Sequence, residues 1–518
     1  MRILLVTLAL ASAACASASL KRSEQQDVTR ADALVLEGCY TCLTEARELY
    51  QRALARRRQP ALIQRLFEVE LLTGVREKEL ALDSASAFAR ARKLAAELPP
   101  TVMADRYLDL AEAVPPDEIG TPHEERSASA SERQKWTERL SQELAWLQTG
   151  AVSAPVRQYL SLALDCGYTP TAPYRVRPSA APPPPEPPPG SPPLLQYRAA
   201  LCAPINRAAL ERLMVETPRF VEASYSLGRV ALNTIDKDGG RKARTLMRDA
   251  YVAFPLSPAI TYLSGSLSQT AGDCRAAVRF YDETLARKPL HEDAMLGRAT
   301  CLSFLREPAA AIAAATTLID RRAYNQGDAF YWRAWNHHQE SELVSARTDI
   351  DRAKTLRYNS SVLTLAGRIE YDQSDLEPAR TDLSSAKDLD GANCVARWYL
   401  ALVALERKEW TQTGTNFVEA MECYRASALD TERRMRVMAA REDLDPEWRT
   451  AQLAGFEIAI KEDRSQESAS AYNAAVNFLR GGDRTAATTY ADLAARDPVR
   501  APKVEELRKF YMAPAAPH

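Results

Sequence analysis

Two stretches decide the fold: residues 331–353, YWRAWNHHQESELVSARTDIDRA, and residues 364–386, TLAGRIEYDQSDLEPARTDLSSA. In each, a small residue (Ala334, Gly367) is followed twelve positions later by an alanine (Ala346, Ala379). The pair recurs as Gly265 with Ala277, Gly297 with Ala309, and Ala475 with Ala487. Leading residues 265, 297, 334 and 367 lie 32, 37 and 33 apart. Gly228 stands 37 residues before Gly265 and heads a copy with a lengthened turn, Asp236–Gly240. Ala401 stands 34 after Gly367, with Thr413 in the place of the alanine. Such spacing describes two helices folded back on each other. Small side chains let the backbones approach, and a large residue one turn after the alanine (Tyr281, Ile350, Leu383) fills the space beside it. Pro255, Pro289 and Pro498 sit near the ends of second helices, where proline punctuates rather than breaks.

This pattern resembles the tetratricopeptide repeat family, whose period is about 34 residues. The resemblance covers about residues 220–425 and, as a single unit, 465–498. It implies an all-α, helix–turn–helix superhelical solenoid and says little about function. The expected organisation is a signal peptide at 1–14, a tether at 15–30, an N-terminal helical domain at 31–168, a Pro-rich linker or loop at 169–193, the repeat array at 194–425 and a capping region at 426–518. In the N-terminal domain, helices are expected at Leu43–Leu54, Ala61–Thr73, Glu77–Leu98 and Val102–Val114, with a loop at 115–130 and further helices at 131–148 and 154–165. The PPPPEPPPGSPP run reads as extended polyproline. From Ala426 to Asp463 two or three helices, including Pro446–Ile460, are expected to interrupt the repeat. Lys503–Met512 is expected to cap the stack.

The first residues, MRILLVTLALASAAC, place one charge before a short apolar run, the pattern of a secretory signal. Two processing routes fit. Ser12-Ala13-Ala14-Cys15 resembles a bacterial lipobox, with serine where an aliphatic residue is usual, and would make Cys15 a lipid anchor. Ordinary cleavage at a small-x-small site would remove Cys15. With no Asp after the cysteine, the lipoprotein resemblance implies outer-membrane sorting. The expected location is therefore the outer membrane or periplasm. No later segment is long and apolar enough to span a bilayer. Lys+Arg 67 against Asp+Glu 68 leaves a net charge of −1, which calls for neither nucleic acid nor an anionic membrane face.

Nine cysteines fit an exported chain. Apart from Cys15 they fall into four pairs. Cys394 opens the first helix of a hairpin and Cys423 closes its second, so their bond is expected to stabilise by about 3.5 kcal/mol in the chain-entropy account. Cys274 and Cys301 fall at one end of the stack. Cys166 and Cys202 bracket the Pro-rich run. Cys39-Tyr-Thr-Cys42 lacks the histidine of a haem site, the second close pair of a zinc site and the βαβ context of a thioredoxin-type site. It reads as a short staple or two free thiols, with thiol-redox activity as the alternative.

The five histidines, His123, His291, His337, His338 and His518, join no recognisable nucleophile, and no catalytic or phosphate-binding motif is present. No enzyme activity, metal or cofactor is expected. In the family this pattern resembles, first helices line a concave groove. The positions three before, one after and four after the small residue share a face. That face reads Tyr225 and Arg229; Tyr262, Ser266 and Gln269; Ala294, Arg298 and Cys301; Tyr331, Trp335 and His338; Thr364, Arg368 and Tyr371; then Trp398. Aromatics interleaved with arginines suit a protein or peptide partner. A glycan is the alternative ligand, as in glycan-binding lipoproteins of the SusD type, which embed such repeats.

Overall fold

A computed structural model describes residues 22–114, 142–165, 190–202, 205–232, 241–442 and 446–509. The Cys15 segment, the 115–130 loop, most of the Pro-rich run and the C-terminal tail lie outside the described residues. Regular structure within them is entirely helical. The chain forms two compact units: Met1–Ile235 with Lys242–Ser264, and Asp236–Arg241 with Gly265–His518.

The first unit contains α1 (Arg22–Glu37), α2 (Tyr40–Arg56), α3 (Pro60–Glu79), α4 (Ala85–Ala95), α5 (Ala104–Ala113), α6 (Ala154–Asp165), α7 (Pro193–Ala200), α8 (Arg207–Glu216), α9 (Glu222–Leu232) and α10 (Arg241–Ala253). The expected Glu77–Leu98 helix is corrected. The helix that starts at Pro60 runs on to Glu79, and the chain reverses through Ala81 (φ 52°) before α4 begins. The cause is packing: Gly74 lies against the Phe88 ring, where a Cβ would stand 2.6 Å from Cε1, so α3 must continue past Gly74 to meet α4.

The division between the units falls inside α11 (Pro258–Thr270). The second unit continues with α12 (Cys274–Arg287), α13 (Glu292–Phe304), α14 (Pro308–Asp320), α15 (Gln326–Gln339), α16 (Leu343–Leu356), α17 (Ser360–Asp372), α18 (Leu376–Leu389), α19 (Cys394–Glu406), α20 (Trp410–Ala439), α21 (Pro446–Arg480), α22 (Arg484–Ala494) and α23 (Ala501–Leu507). This is a tetratricopeptide-type array of helical hairpins. Among the described residues, the six reversals that join the two helices of a repeat use the same turn. Gly272, Arg306, Ser341, Ser374, Lys408 and Gly482 all have φ between 60° and 86°. From 272 to 306, 341, 374 and 408 the steps are 34, 35, 33 and 34. The next residue is acidic each time (Asp273, Glu307, Glu342, Asp375, Glu409, Asp483), and its N–H donates to the carbonyl five residues back at 2.8–3.0 Å. That closes the first helix as a Schellman turn and puts a carboxylate at the positive end of the second.

These turns correct the repeat register. The small residue stands seven before the left-handed residue in the other hairpins (265, 334, 367, 401, 475), so before Arg306 it is Ala299, not Gly297. Its partner is Ala311, fully buried, whereas Ala309 is exposed. Gly297 has another purpose: a Cβ there would stand 2.5 Å from the Tyr281 ring, and one at Gly265 2.8 Å from its other edge. Tyr281 is thus wedged between two successive first helices.

Two elements are longer than expected. The second helix of the Cys394 hairpin runs 30 residues to Ala439, and α21 runs 35 residues from Pro446 to Arg480, carrying Ala475 at its end. They pack antiparallel around Phe417, Met421, Ala474 and Ala475, with Phe478 against Gly414. Arg425–Glu467 (2.7 Å) and Arg464–Glu432 (2.9 Å) bridge them. The expected two or three interrupting helices are therefore one long hairpin. Residues 426–439 and 446–463 extend its arms, where the bridge from Arg464 to Glu432 links them.

The register has a direct test. Arg306→Gly should leave stability unchanged or raise it by up to about 1 kcal/mol, because glycine carries no penalty in the left-handed region. Phe304→Gly, seven residues after Gly297 and still helical, should cost about 1 kcal/mol. Chemical denaturation of the two variants checks this; the reverse order would restore the Gly297 register.

Candidate functional site

The first helices of the second unit carry a continuous aromatic ribbon. Phe304, at the end of α13, meets Trp332 edge-on (5.5 Å, 68°). Trp332 meets Tyr331 (5.2 Å, 79°) and Trp335 (6.4 Å, 65°) on the same helix. The Arg368 guanidinium of α17 then lies between rings of its two neighbours, 5.1 Å from Trp335 of α15 and 5.4 Å from Tyr399 of α19. Tyr399 meets Tyr371 edge-on at 5.8 Å. Helical spacing produces this: positions 331, 335 and 338, and 364, 368 and 371, fall on single faces, and the repeat stacks those faces side by side. Tyr331, Trp335, Arg368, Tyr371 and Tyr399 are all half-buried. Burial pushes the Tyr331 hydroxyl's pKa up, and burial with nearby Glu406 does the same for Tyr371.

Arg368 makes no ion pair among the described residues, and its buried Nε has no hydrogen-bond partner. Held by two π faces, it presents a cation without an acid. Its neighbour His338 pairs through Nε2 with Asp372 at 2.6 Å, and His337 pairs through Nδ1 with Glu342 at 2.6 Å, so the adjacent histidines turn to separate carboxylates.

The other expected groove residues sit elsewhere. Arg298 pairs with Asp282 of the preceding α12 at 2.6 Å. In the corrected register it is the counterpart of Arg333, which pairs with Asp349 at 2.6 Å. Ala294 and Cys301 are fully buried for the same reason; the face of that repeat is Leu296, Thr300 and Ser303. Thr364 is 9% exposed. Trp398 turns inward, edge-on to Phe417 at 5.1 Å within its own hairpin. Ser266 and Gln269 are half-buried, and Gln269 accepts the Tyr281 hydroxyl at 2.6 Å. Arg229, 5.5 Å from the ring of the buried Tyr225, and the half-buried Tyr262 belong to the first unit. Sequence reasoning missed Trp332 and Tyr399, two positions before the small residue. The same position is Leu365 in the repeat between them, so no recurrent spacing marked these two residues.

Cys39 is bonded to Cys42, Cys274 to Cys301 and Cys394 to Cys423. Cys202 is also disulfide-bonded, while Cys166 lies outside the described residues. Cys423 lies within α20 rather than at its end. The Cys39–Cys42 loop opens α2: Cys39 is its N-cap, Gly38 (φ 71°) supplies the bend, and both sulfurs are fully buried. Glu37 with these two cysteines is the one cluster of metal-binding donors among the described residues, and the disulfide takes both of its thiolates.

That loop rests on a buried charge cluster that composition gives no hint of. Arg76, with 0% exposure, pairs with Glu79 at 2.7 Å and with Glu222, and its guanidinium lies 4.0 Å over the Tyr197 ring. Glu222 also accepts the Tyr40 backbone N–H at 2.8 Å, from inside the disulfide loop. Glu79 accepts the Tyr159 hydroxyl at 2.8 Å and lies 3.4 Å from the buried Arg198. Burial opposes the charge on Arg76, but Tyr197, Tyr159, Glu222 and Glu79 outweigh it and keep the guanidinium charged. These groups are occupied with one another, and their role is structural: they bind α2, α3, α6, α7 and α9 together.

No family model matches the chain, and no curated protein matches it. Solved structures do. A fragment of MamA from Desulfovibrio magneticus RS-1 is 15% identical over 33% of this chain and 96% of its own, with a TM-score of 0.30. YrrB, described as a TPR protein with an unusual peptide-binding site, is 14% identical over 34% and 91%, with a TM-score of 0.29. A chain of the APC/C hetero-tetramer Cut9–Hcn1 is 11% identical over 95% and 97%, with a TM-score of 0.39.

Glu77, beside the charge cluster, offers a test. Burial is the main cause that lifts its carboxyl from 4.5 to about 7, against the opposing hydrogen bond from Tyr40 (3.1 Å). The unfolded chain releases this proton first. Its contribution to stability is therefore full below about pH 4.5 and is lost as pH rises to about 7. Glu77→Gln should raise the melting temperature at pH 8 and leave it unchanged at pH 4. An equal effect at both values would remove Glu77 as the cause.

Proposed function

We propose that the protein is an exported scaffold that works by binding, holding an extended segment of a partner protein on the Phe304–Tyr371 ribbon. The unpaired Arg368 between Trp335 and Tyr399 carries the reading. A cation held in place by two rings and lacking an acid is poised for a carboxylate on the partner, and the surrounding half-buried aromatics offer rigid contact area at small entropic cost. Four of the five ring pairs meet at 65–81°, and only Tyr331–Trp335 is tilted more gently, at 36°, so the ribbon offers edges more than a flat stacking platform. That favours a peptide over a sugar ring. Export and lipid attachment at Cys15 complete the proposal. The signal-like first residues and the paired cysteines support it, since disulfides persist in oxidising compartments. The cell envelope would then be where the partner is met. The buried Cys39–Cys42 bond acts as a staple at the start of α2, worth about 2 kcal/mol for so short a loop. Thiol exchange there would require the loop to open.

Selecting peptides from a random display library on the purified chain tests the reading. The selected peptides should carry Asp or Glu near an aromatic or aliphatic residue. Arg368→Glu should weaken them at least about tenfold, and Trp335→Ala by a similar factor. Arg298→Ala should leave them unchanged, because Arg298 is committed to Asp282. Equal binding to wild type and to Arg368→Glu would overturn the proposal.

A further inference from the structure

A second site lies away from the ribbon, where the long hairpin meets α22. A cavity of about 520 Å³ opens between α20, α21 and the chain that follows α22. That is within the size range of small-molecule sites. Its floor is Met421, Ala471 and Leu493, and Val499 lines it further out. Met421 and Ala471 are each 2% exposed, whereas Val499, on the outer wall, is 75% exposed. None of these side chains can donate or accept a conventional hydrogen bond, so the floor suits an aliphatic body and gives the amides of a peptide nothing to bond.

The rim carries four cations, Arg425, Lys461, Arg464 and Arg496, against two carboxylates, Glu467 and Asp497. Arg425 pairs with Glu467 at 2.7 Å, Arg464 pairs with Glu467 at 2.7 Å and with Glu432 at 2.9 Å, and Asp497 accepts the Val499 backbone N–H at 2.9 Å. Lys461 and Arg496 also line the cavity, are exposed, and make no ion pair among the described residues. Lys461, Ser465, Ser468 and Ala471 follow one another at intervals of four, three and three on α21, so they share one helical face. Polarity falls along that face from the ammonium group to the methyl, over about 15 Å at the helical rise, the length of an extended chain of about a dozen carbons. Ser468, 7% exposed, lines the cavity midway, and its hydroxyl has no hydrogen-bond partner.

We propose that this cavity binds an anionic amphiphile: an aliphatic chain along Ala471, Met421 and Leu493 whose carboxylate or phosphate head engages Lys461 and Arg496. Charge sign and the apolar floor together select this class. A neutral lipid would leave the two cations unanswered, and a small inorganic anion would leave the floor empty.

The experiment is a fluorescence titration of the full chain with dansyl-labelled undecanoate, followed by displacement with dodecanoate, dodecyl phosphate or dodecanol. The expected result is saturable binding of one probe per chain. Both anions should displace it at least about tenfold better than the alcohol, more weakly at high salt. Whichever anion displaces more tightly assigns the head group. Lys461→Glu with Arg496→Glu, both at exposed positions, should cost dodecanoate at least about tenfold and leave dodecanol unchanged, with the helical circular dichroism of wild type. Absence of saturable binding, equal displacement by acid and alcohol, or a double variant that binds dodecanoate like wild type would each overturn the proposal.

Discussion

Everything in the second unit depends on one close approach, repeated: a helix reverses through a left-handed residue, and its small side chain then lies against an alanine, or once a threonine, on the returning helix. The turn sets which faces meet. In four of the six hairpins the left-handed residue is not glycine but Arg306, Ser341, Ser374 or Lys408. Each of those carries a conformational penalty of about 1–2 kcal/mol. The Schellman bonds and the buried contacts behind them offset it. Because the turn recurs at steps of 33 to 35 residues, the first helices stack in register. Side chains on their free faces then line up as a ribbon rather than scatter.

The first unit is organised differently. Its centre is an ionic cluster closed to solvent, with Arg76 between Glu79, Glu222 and Tyr197. Such a cluster contributes little net stability over an apolar equivalent. Breaking it by removing one partner strands a charge in the interior, at about 3–5 kcal/mol. It therefore specifies how the helices meet more than how tightly. The disulfide loop of Cys39 and Cys42 shares this function, since its Tyr40 amide bonds to Glu222 and the glycine before it leaves room only for Leu194.

The hairpin array was legible in the sequence because small-residue spacing is a local signal that packing preserves. The register of one repeat was not. Gly297 and Ala309 are twelve apart, but so are Ala299 and Ala311, and composition alone does not choose between them. The acidic residue four before the buried alanine (Asp273, Glu307, Glu342, Asp375) would have chosen. Arg298 moved from the binding face to an ion pair as a direct result. The ribbon was half legible: Tyr331, Trp335, Arg368 and Tyr371 follow from helical spacing, while Trp332 and Tyr399 join through contacts between repeats. The Arg76 cluster was invisible, since its partners lie up to 146 residues apart. The start of α21 at Pro446 was legible, since proline is tolerated at a first helical position; its continuation past Ile460 to Arg480, and that of α20 to Ala439, was not.

The central claim is that the first helices of the second unit form the binding face. Hydrogen exchange of the full chain, with and without a peptide selected on it, tests this most directly. The account predicts added protection in α15, α17 and α19 and at the end of α13, with α14, α16 and α18 unchanged. Protection centred on those second helices, with the first helices unaffected, would contradict it.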